Sequence, residues 1–104
     1  VLRAGVAGLV KTLADELAGA GIRVNTLIPG RIDTDRVAQL DQNTAAKLGI
    51  SIDEVREQNR TSIPLARLGT IEAFGKAGAF LLSPAADYIM GTSLVVDGGK
   101  MRTL

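Results

Sequence analysis

Residues 29–34, with the sequence PGRIDT, carry the groups of this chain whose types and spacing could contact a ligand. Gly30 has no Cβ, so a flat ring can approach the backbone there. Ile32 presents an amide N–H and a C=O, and Thr34 presents a hydroxyl; these groups could bind a carboxamide or a phosphate oxygen. Taken alone, these residues are more typical of a Pro-Gly turn that ends a strand and a threonine that caps the following helix.

The composition excludes several other kinds of site. The 104 residues contain no Cys and no His, so a thiolate, a disulfide and an imidazole are all unavailable. A metal would need oxygen ligands alone, and no group of carboxylates has the spacing for one, so no metal site is expected. Twelve basic and 11 acidic residues are interspersed, with no basic stripe that would favour nucleic acid. No apolar run approaches the roughly 20 residues of a membrane span, and no signal peptide is visible, so we expect a cytoplasmic protein without nucleic-acid or membrane partners.

A helix and a strand are predicted ahead of residues 29–34. Within residues 1–19, the apolar side chains recur at the spacing of one helix face: Val6, Leu9, Val10, Leu13 and Leu17. Gly5 and Gly8 lie near this face and suggest close packing against another backbone, while Gly19 and Gly21 supply stop signals. Residues 22–28 are β-prone and apolar on both sides by their end, which is typical of a strand buried in a parallel sheet and ended by Pro29-Gly30.

The polar middle of the chain, residues 34–62, is predicted to be a helical excursion. Thr34 or Asp35 can cap a helix over roughly 35–48, and a capping-box pattern at residues 51–54 begins a short helix to about Asn59. The charged side chains of this second helix predict a solvent-exposed face: Asp53, Glu54, Arg56 and Glu57. A further helix, capped by Thr70, ends before Pro84, and residues 93–96 form a second strand that a turn at residues 97–99 closes.

The order of these elements predicts the fold class. Helix, strand, helical excursion, helix and strand follow one another, which indicates an α/β protein with two parallel strands. A sheet of two parallel strands is a poor independent unit, so the architecture is expected to be incomplete. Residue 1 is Val and the helical pattern has already begun there, so we expect a fragment of a longer protein. Residues 1–104 are expected to form part of a single domain.

Essentially the whole chain resembles the C-terminal portion of the short-chain dehydrogenase/reductase family, in particular members similar to 3-oxoacyl-acyl-carrier-protein reductases. The segments that carry the resemblance follow the family's order and spacing: RAGVAGLVKTLADELAGAGIRVN, PGRIDT, IPLARLGTIEAFGKAGAFLLSPAADYIMG and LVVDGG. The resemblance implies the C-terminal part of a Rossmann-like doubly wound parallel sheet. Residues 34–62, the lid segment, correspond to the family's variable cover over the substrate.

The resemblance also implies a cofactor site. In that family the Pro-Gly-x-x-x-Thr stretch lies against the nicotinamide end of NAD or NADP, so Pro29 and Gly30 would line the face of the ring. The backbone of Ile32 would bind the carboxamide, and Thr34 would assist through its hydroxyl. The implied activity is hydride transfer between the nicotinamide and a small-molecule carbonyl, alcohol or acyl thioester.

The family's catalytic Tyr, and the Lys that follows it by four residues, are not matched here. The resemblance places Arg3 at the Lys position, the Tyr two residues before Val1, and the Gly-rich phosphate loop further upstream. Arg3 keeps a charge that could contact a ribose, but it does not release a proton at working pH; in the isolated chain, a solvent-exposed residue is the preferred alternative. Tyr88 is the only Tyr and lies outside the catalytic motif. We therefore expect the isolated chain to be inactive and to bind NAD or NADP weakly or not at all.

Two hypotheses follow from these residues. The first is the C-terminal part of an NAD(P)-dependent oxidoreductase. The alternative, favoured by Arg3 and the missing front half, is a non-catalytic module or pseudo-enzyme that associates through its helices. The resemblance implies a homo-dimer or homo-tetramer, because family members build two-fold assemblies from the equivalents of the first helix and the last helix–strand unit. Arg23 and Asn25 are predicted to brace the strand ends through hydrogen bonds.

Overall fold

The computed structural model describes the backbone of residues 2–101 and the side chains of residues 5–101. In this part of the chain the order of elements is helix α1, strand β1, helices α2, α3 and α4, and strand β2. Their bounds are Leu2–Leu17, Thr26–Pro29, Asp35–Leu48, Ile52–Thr61, Ile71–Leu82 and Ser93–Val96. Short 3₁₀ helices, Ala18–Ala20 and Pro84–Ala86, follow α1 and α4. Among the described residues, no helix combines the length and the apolar character needed to cross a membrane.

The two strands are hydrogen-bonded parallel neighbours. The N–H of Thr26 donates to the C=O of Thr92 at 2.8 Å, and the N–H of Gly30 donates to the C=O of Val96 at 2.8 Å. Donor and acceptor advance together along the chain, which is the pattern of a parallel pair. The predicted α/β class with two parallel strands in an open sheet is confirmed.

The first strand begins later than predicted. The sequence predicts residues 22–28, whereas β1 is Thr26–Pro29. The residues before Thr26 bond to a loop and not to a strand: the C=O of Val24 accepts from the N–H of Gly91 at 2.7 Å. Pro29 is the last residue of the strand and not the residue beyond its end. The strand tolerates it because the ladder continues from the N–H of Gly30, so no donor is required of the proline.

The helix ends largely follow the predicted caps. The hydroxyls of Ser51 and Thr70 accept from the N–H of Glu54 at 3.1 Å and of Ala73 at 3.0 Å, so both predicted caps are confirmed. Helix α3 runs to Thr61, beyond the predicted Asn59. Helix α1 ends at Leu17 and tightens into a 3₁₀ helix that contains Gly19. Gly21 then ends it in the left-handed conformation, at φ 73°.

The first of two compact units contains the described residues up to Ile28 together with Lys76–Val95. Its buried apolar side chains are Ala14, Leu81 and Ala86. Asn25 donates to the C=O of Ile89 at 3.1 Å and accepts from the N–H of Thr92 at 3.0 Å. Arg23 donates, at 2.8 to 3.3 Å, to three carbonyl oxygens at and after the end of α4: those of Leu81, Ser83 and Ala86. Both side chains make the predicted hydrogen bonds, but only Asn25 braces the strand ends, at the starts of β1 and β2, whereas Arg23 braces the end of α4.

The predicted apolar face of α1 is only partly covered. Val6 and Leu9 are exposed, and the remaining members of the face are half-buried. A Cβ built on Gly5 or Gly8 meets no described atom within 4 Å beyond its own stretch of helix. The close packing predicted at these glycines is therefore not made within the described part of this chain.

The second unit contains Pro29–Gly75 and the described residues from Val96 onward. Helices α2 and α3 pack against each other within it. Its buried side chains are Ile32, Ala45, Val55 and Ile63, together with the carboxylate of Asp41. The charged side chains predicted to form the outer face of α3 are all exposed, as expected: Asp53, Glu54, Arg56 and Glu57. The residues predicted to contact a cofactor belong to this unit.

Candidate functional site

The candidate site is the segment that leaves β1 and reaches the first turn of α2, residues 29–34, which we call the site loop. It contains all four residues predicted to contact a cofactor: Pro29, Gly30, Ile32 and Thr34. Its first residue, Pro29, is exposed at the end of β1. Because ligands of open α/β sheets bind beyond the carboxyl ends of the strands, the site loop occupies the expected place for a binding segment.

Gly30 packs against the residue that follows β2. A Cβ built on Gly30 would lie 2.5 Å from the Cβ and 2.6 Å from the Cα of Asp97, which is closer than atoms approach. The sequence predicts this glycine as a place where a flat ring can approach. The structure adds a reason that needs no ligand, since any side chain here would push the site loop away from the end of β2.

The backbone of Ile32 is bracketed by a single residue, Gly69, in a parallel bridge. The N–H of Gly69 donates to the C=O of Arg31 at 2.9 Å, and the N–H of Asp33 donates to the C=O of Gly69 at 2.8 Å. These bonds use the peptide groups on either side of Ile32, so its own N–H and C=O both point away from Gly69. Among the described residues, neither group has a hydrogen-bond partner.

The side chain of Ile32 anchors this arrangement. The residue is only 8% exposed. Its Cδ1 would lie 2.7 Å from a Cβ built on Gly69, so this side chain occupies the space that a side chain at position 69 would need. A buried residue normally has both backbone groups paired. The N–H and C=O of Ile32 depart from this rule, since neither has a partner among the described residues.

Thr34 caps helix α2. Its Oγ1 accepts from the N–H of Val37 at 3.3 Å, so Thr34, and not Asp35, is the capping residue. The helix-cap alternative considered for this residue is thus correct. The hydroxyl hydrogen is not used by that bond, and a threonine hydroxyl can accept and donate at once, so the cap leaves a donor for a ligand.

A buried polar cluster beside the site loop was not found from the sequence. The guanidinium of Arg31 forms an ion pair with Asp41 of α2. The same Oδ1 of Asp41 accepts from the Nδ2 of Asn59 of α3 at 3.0 Å. Asp41 is a charged residue only 4% exposed inside a polar-looking helix, and the sequence signal for it would have been its place among apolar neighbours at helical spacing.

The turn after β2 is structural, as predicted. Asp97 accepts from the N–H of Gly99 at 2.9 Å and from the N–H of Met101 at 2.8 Å, so both of its carboxylate oxygens are used within the turn. A cavity of about 100 Å³ next to it is lined by Arg31, Gly69 and Asp97, among others, but by none of the four predicted contact residues. The predicted contact groups are thus not part of this cavity.

Arg3 and Tyr88, the other residues weighed for a catalytic role, are not part of the site loop. The side chain of Arg3, the residue at the family's Lys position, lies outside the described residues. Tyr88 belongs to the first unit and is 98% exposed, in the loop before β2. Among the described residues no group of three or more acidic, Cys or His side chains could hold a metal ion.

The similar proteins named below are longer than this chain. The family model described as Enoyl-(Acyl carrier protein) reductase matches residues 1–100. The NADPH-dependent reductase BacG of Bacillus subtilis (strain 168) is 36% identical over 104 residues, covering 100% of this chain and 40% of that protein. The 3-oxoacyl-[acyl-carrier-protein] reductase FabG of Staphylococcus aureus (strain N315) is 42% identical over 97 residues, covering 93% of this chain and 35% of that protein. The solved structure of a short chain dehydrogenase family protein from Francisella tularensis subsp. tularensis SCHU S4 superimposes with a TM-score of 0.88 at 37% identity. The match covers 94% of this chain and 40% of that protein. The chain therefore spans 35 to 40% of the length of these relatives.

Proposed function

Because the chain belongs to the short-chain dehydrogenase/reductase family, we propose that the protein containing it is an NAD(P)-dependent oxidoreductase and that the site loop binds the nicotinamide end of the cofactor. The similar BacG is described as NADPH-dependent and the similar FabG as a 3-oxoacyl-[acyl-carrier-protein] reductase. By the same similarity, we propose that the substrate of the protein containing this chain is a carbonyl compound, an alcohol or an acyl thioester. The bound cofactor would supply or accept the hydride.

The unpaired backbone of Ile32 is the observation that carries this proposal. A primary carboxamide has an acceptor oxygen and a donor nitrogen side by side. The N–H and C=O of one extended residue present the complementary pair on one side of the chain. The bridge to Gly69 holds both groups in that orientation before any ligand arrives, which reduces the ordering cost of binding.

The other residues of the site loop have supporting roles in the proposal. Thr34 would donate its free hydroxyl hydrogen to the same end of the cofactor while it caps α2. Pro29 and Gly30 would line the ring face. For Arg3 we propose a contact to the ribose, in which the guanidinium donates hydrogen bonds but does not relay a proton.

The isolated 104-residue chain is proposed to be inactive. Reduction of a carbonyl needs a group that delivers a proton to the oxygen. The family's pair of a Tyr and a Lys four residues later is absent from this chain, because its single Tyr, Tyr88, is followed at that spacing by Thr92. Hydride transfer from NADH and NADPH to a panel of ketones and acyl thioesters tests both statements. We expect turnover by the full-length natural protein that contains this sequence and none by the purified chain above a no-enzyme control. Turnover by the chain would contradict its inactivity, and none by the full-length protein would contradict the oxidoreductase proposal.

The second candidate function is a non-catalytic module that associates with copies of itself. The exposed apolar side chains of the first unit favour it: Val6, Leu9, Ile22, Phe80, Leu82 and Tyr88. Where exposed apolar side chains form a contiguous patch, they mark an interface or an aggregation site. We propose a homo-dimer or homo-tetramer under either function. Sedimentation equilibrium at micromolar concentration tests it, and a well-folded, strictly monomeric species would contradict it.

A further inference from the structure

We propose that Arg31 is a positioning residue for the nicotinamide contact of Ile32, because its ion pair with Asp41 ties the site loop to both helices of the lid segment. The inference rests on the proposed function of the site loop. It adds a specific device: the position of the lid segment sets the orientation of the groups that would hold the cofactor.

Arg31 is fixed at both ends. Its backbone C=O accepts from the N–H of Gly69 at 2.9 Å, and its guanidinium pairs with Asp41 of α2. Asp41 also accepts from Asn59 of α3 at 3.0 Å. One carboxylate oxygen therefore gathers the site loop and both lid helices. Arg31, Asp41 and Asn59 come from the site loop, α2 and α3, so none of these elements can shift without stretching a bond to the carboxylate of Asp41.

Burial makes this connection stiff. The side chains of Arg31 and Asp41 are 25% and 5% exposed. A carboxylate this buried has little access to water, so losing Arg31 would leave it poorly compensated. The Nε of Arg31 is itself buried without a partner among the described residues, so the guanidinium forgoes one hydrogen bond to keep this orientation. The ion pair of Arg60 and Glu57 offers a contrast, since those side chains are 48% and 60% exposed and solvent screens them.

Peptide geometry carries the constraint from Arg31 to the candidate contact. The C=O of Arg31 and the N–H of Ile32 belong to one planar peptide group. Fixing the first fixes the direction of the second. If the lid segment moves, Asp41 moves with α2 and pulls on Arg31. The free N–H of Ile32 then turns away from the direction that a carboxamide requires.

The test uses the full-length natural protein that contains this sequence. Asp41→Asn removes the negative charge of the ion pair on α2, and Arg31→Leu removes the guanidinium on the site loop. Arg31→Lys keeps the positive charge. Arg60→Leu, which removes the exposed pair of the same unit, is the matched control. Three quantities are measured for each variant: amide hydrogen exchange of the site loop without cofactor, the NADPH dissociation constant from nicotinamide fluorescence, and the melting temperature.

We expect Asp41→Asn and Arg31→Leu to speed exchange of the site loop and to raise the NADPH dissociation constant about fivefold or more, the usual scale of coupling between linked sites. Arg31→Lys should recover most of the affinity, and Arg60→Leu should match the wild type in loop exchange and in NADPH affinity. A lowered melting temperature in Asp41→Asn and Arg31→Leu, with unchanged loop exchange and NADPH affinity, would overturn the proposal and leave a purely structural ion pair. A wild-type protein that fails to bind NADPH would overturn the proposed function and the nicotinamide role of Arg31 with it. The exchange data would then still decide whether the lid segment controls the site loop.

Discussion

Replacing Gly30 with alanine tests how the site loop packs against the end of β2 in the absence of any ligand. The added Cβ would lie 2.5 Å from the Cβ of Asp97, whereas an ordinary contact begins at 3.4 Å. The site loop must therefore retreat by about 0.9 Å, the difference between these two distances. Because the Cα of Asp97 is equally close, at 2.6 Å, turning a side chain cannot relieve the clash.

The expected cost has three parts. A retreat of this size would stretch the 2.8 Å bond from the N–H of Gly30 to Val96 beyond its useful range, a net loss of about 1 kcal/mol. Strain from an added methyl group in a packed place costs about 1–3 kcal/mol. Alanine has less conformational freedom than glycine in the unfolded chain, and this difference stabilises the folded state by about 0.4–1 kcal/mol. We therefore expect Gly30→Ala to lower the free energy of unfolding by about 2 kcal/mol.

Urea unfolding followed by circular dichroism, at one protein concentration, measures this change. With a slope of about 2 kcal/mol per molar urea, the midpoint should fall by about 1 M. Gly75→Ala is the matched control, because Gly75 lies inside α4 and a Cβ there meets nothing within 4 Å. Alanine at that position should stabilise by about 0.5–1 kcal/mol. A Gly30→Ala midpoint at or above that of Gly75→Ala would refute the argument.

Three further predictions concern the rest of the chain. Arg23→Leu should lower the free energy of unfolding by at least about 2 kcal/mol, because partly buried carbonyls lose a charged donor. Urea unfolding measures this change, and Arg23→Lys should recover only part of the lost stability. An unchanged urea midpoint in Arg23→Leu would contradict the prediction. The hydrogen bond from Arg60 lowers the pKa of Glu57 below its ordinary value, so the support of this pair for α3 is present at neutral pH and is lost as the pH falls through the lowered pKa. Titration by NMR should give a higher Glu57 pKa in Arg60→Leu, and equal values would contradict the assigned cause. Calorimetry with the purified 104-residue chain should detect weak NADH or NADPH binding or none, because the sequence contains no Gly-rich phosphate loop; a low micromolar dissociation constant, on the order of −8 kcal/mol, would contradict this.

The features that depend on sequence neighbours were predictable from the sequence. Ser51 and Thr70 were expected as caps, and each hydroxyl accepts from an N–H three residues later. Strand β2 has its predicted bounds, because a short apolar run lies between Gly91 and the turn at Asp97. The family was also identifiable, since several weak segments occur in one order with one spacing. Such features need only groups that the chain itself brings close together.

The features that depend on distant segments were decided by the tertiary structure alone. The start of β1 at Thr26 depends on where β2 offers a partner, and the need for glycine at position 30 comes from Asp97. The free N–H and C=O of Ile32 depend on Gly69, and Arg31 finds its partner on the lid segment. No local pattern encodes these pairs, because which groups meet is set by how the elements pack. The sequence by itself thus located the candidate segment, while the tertiary structure decided which of its backbone groups are paired inside the fold and which are left unpaired among the described residues.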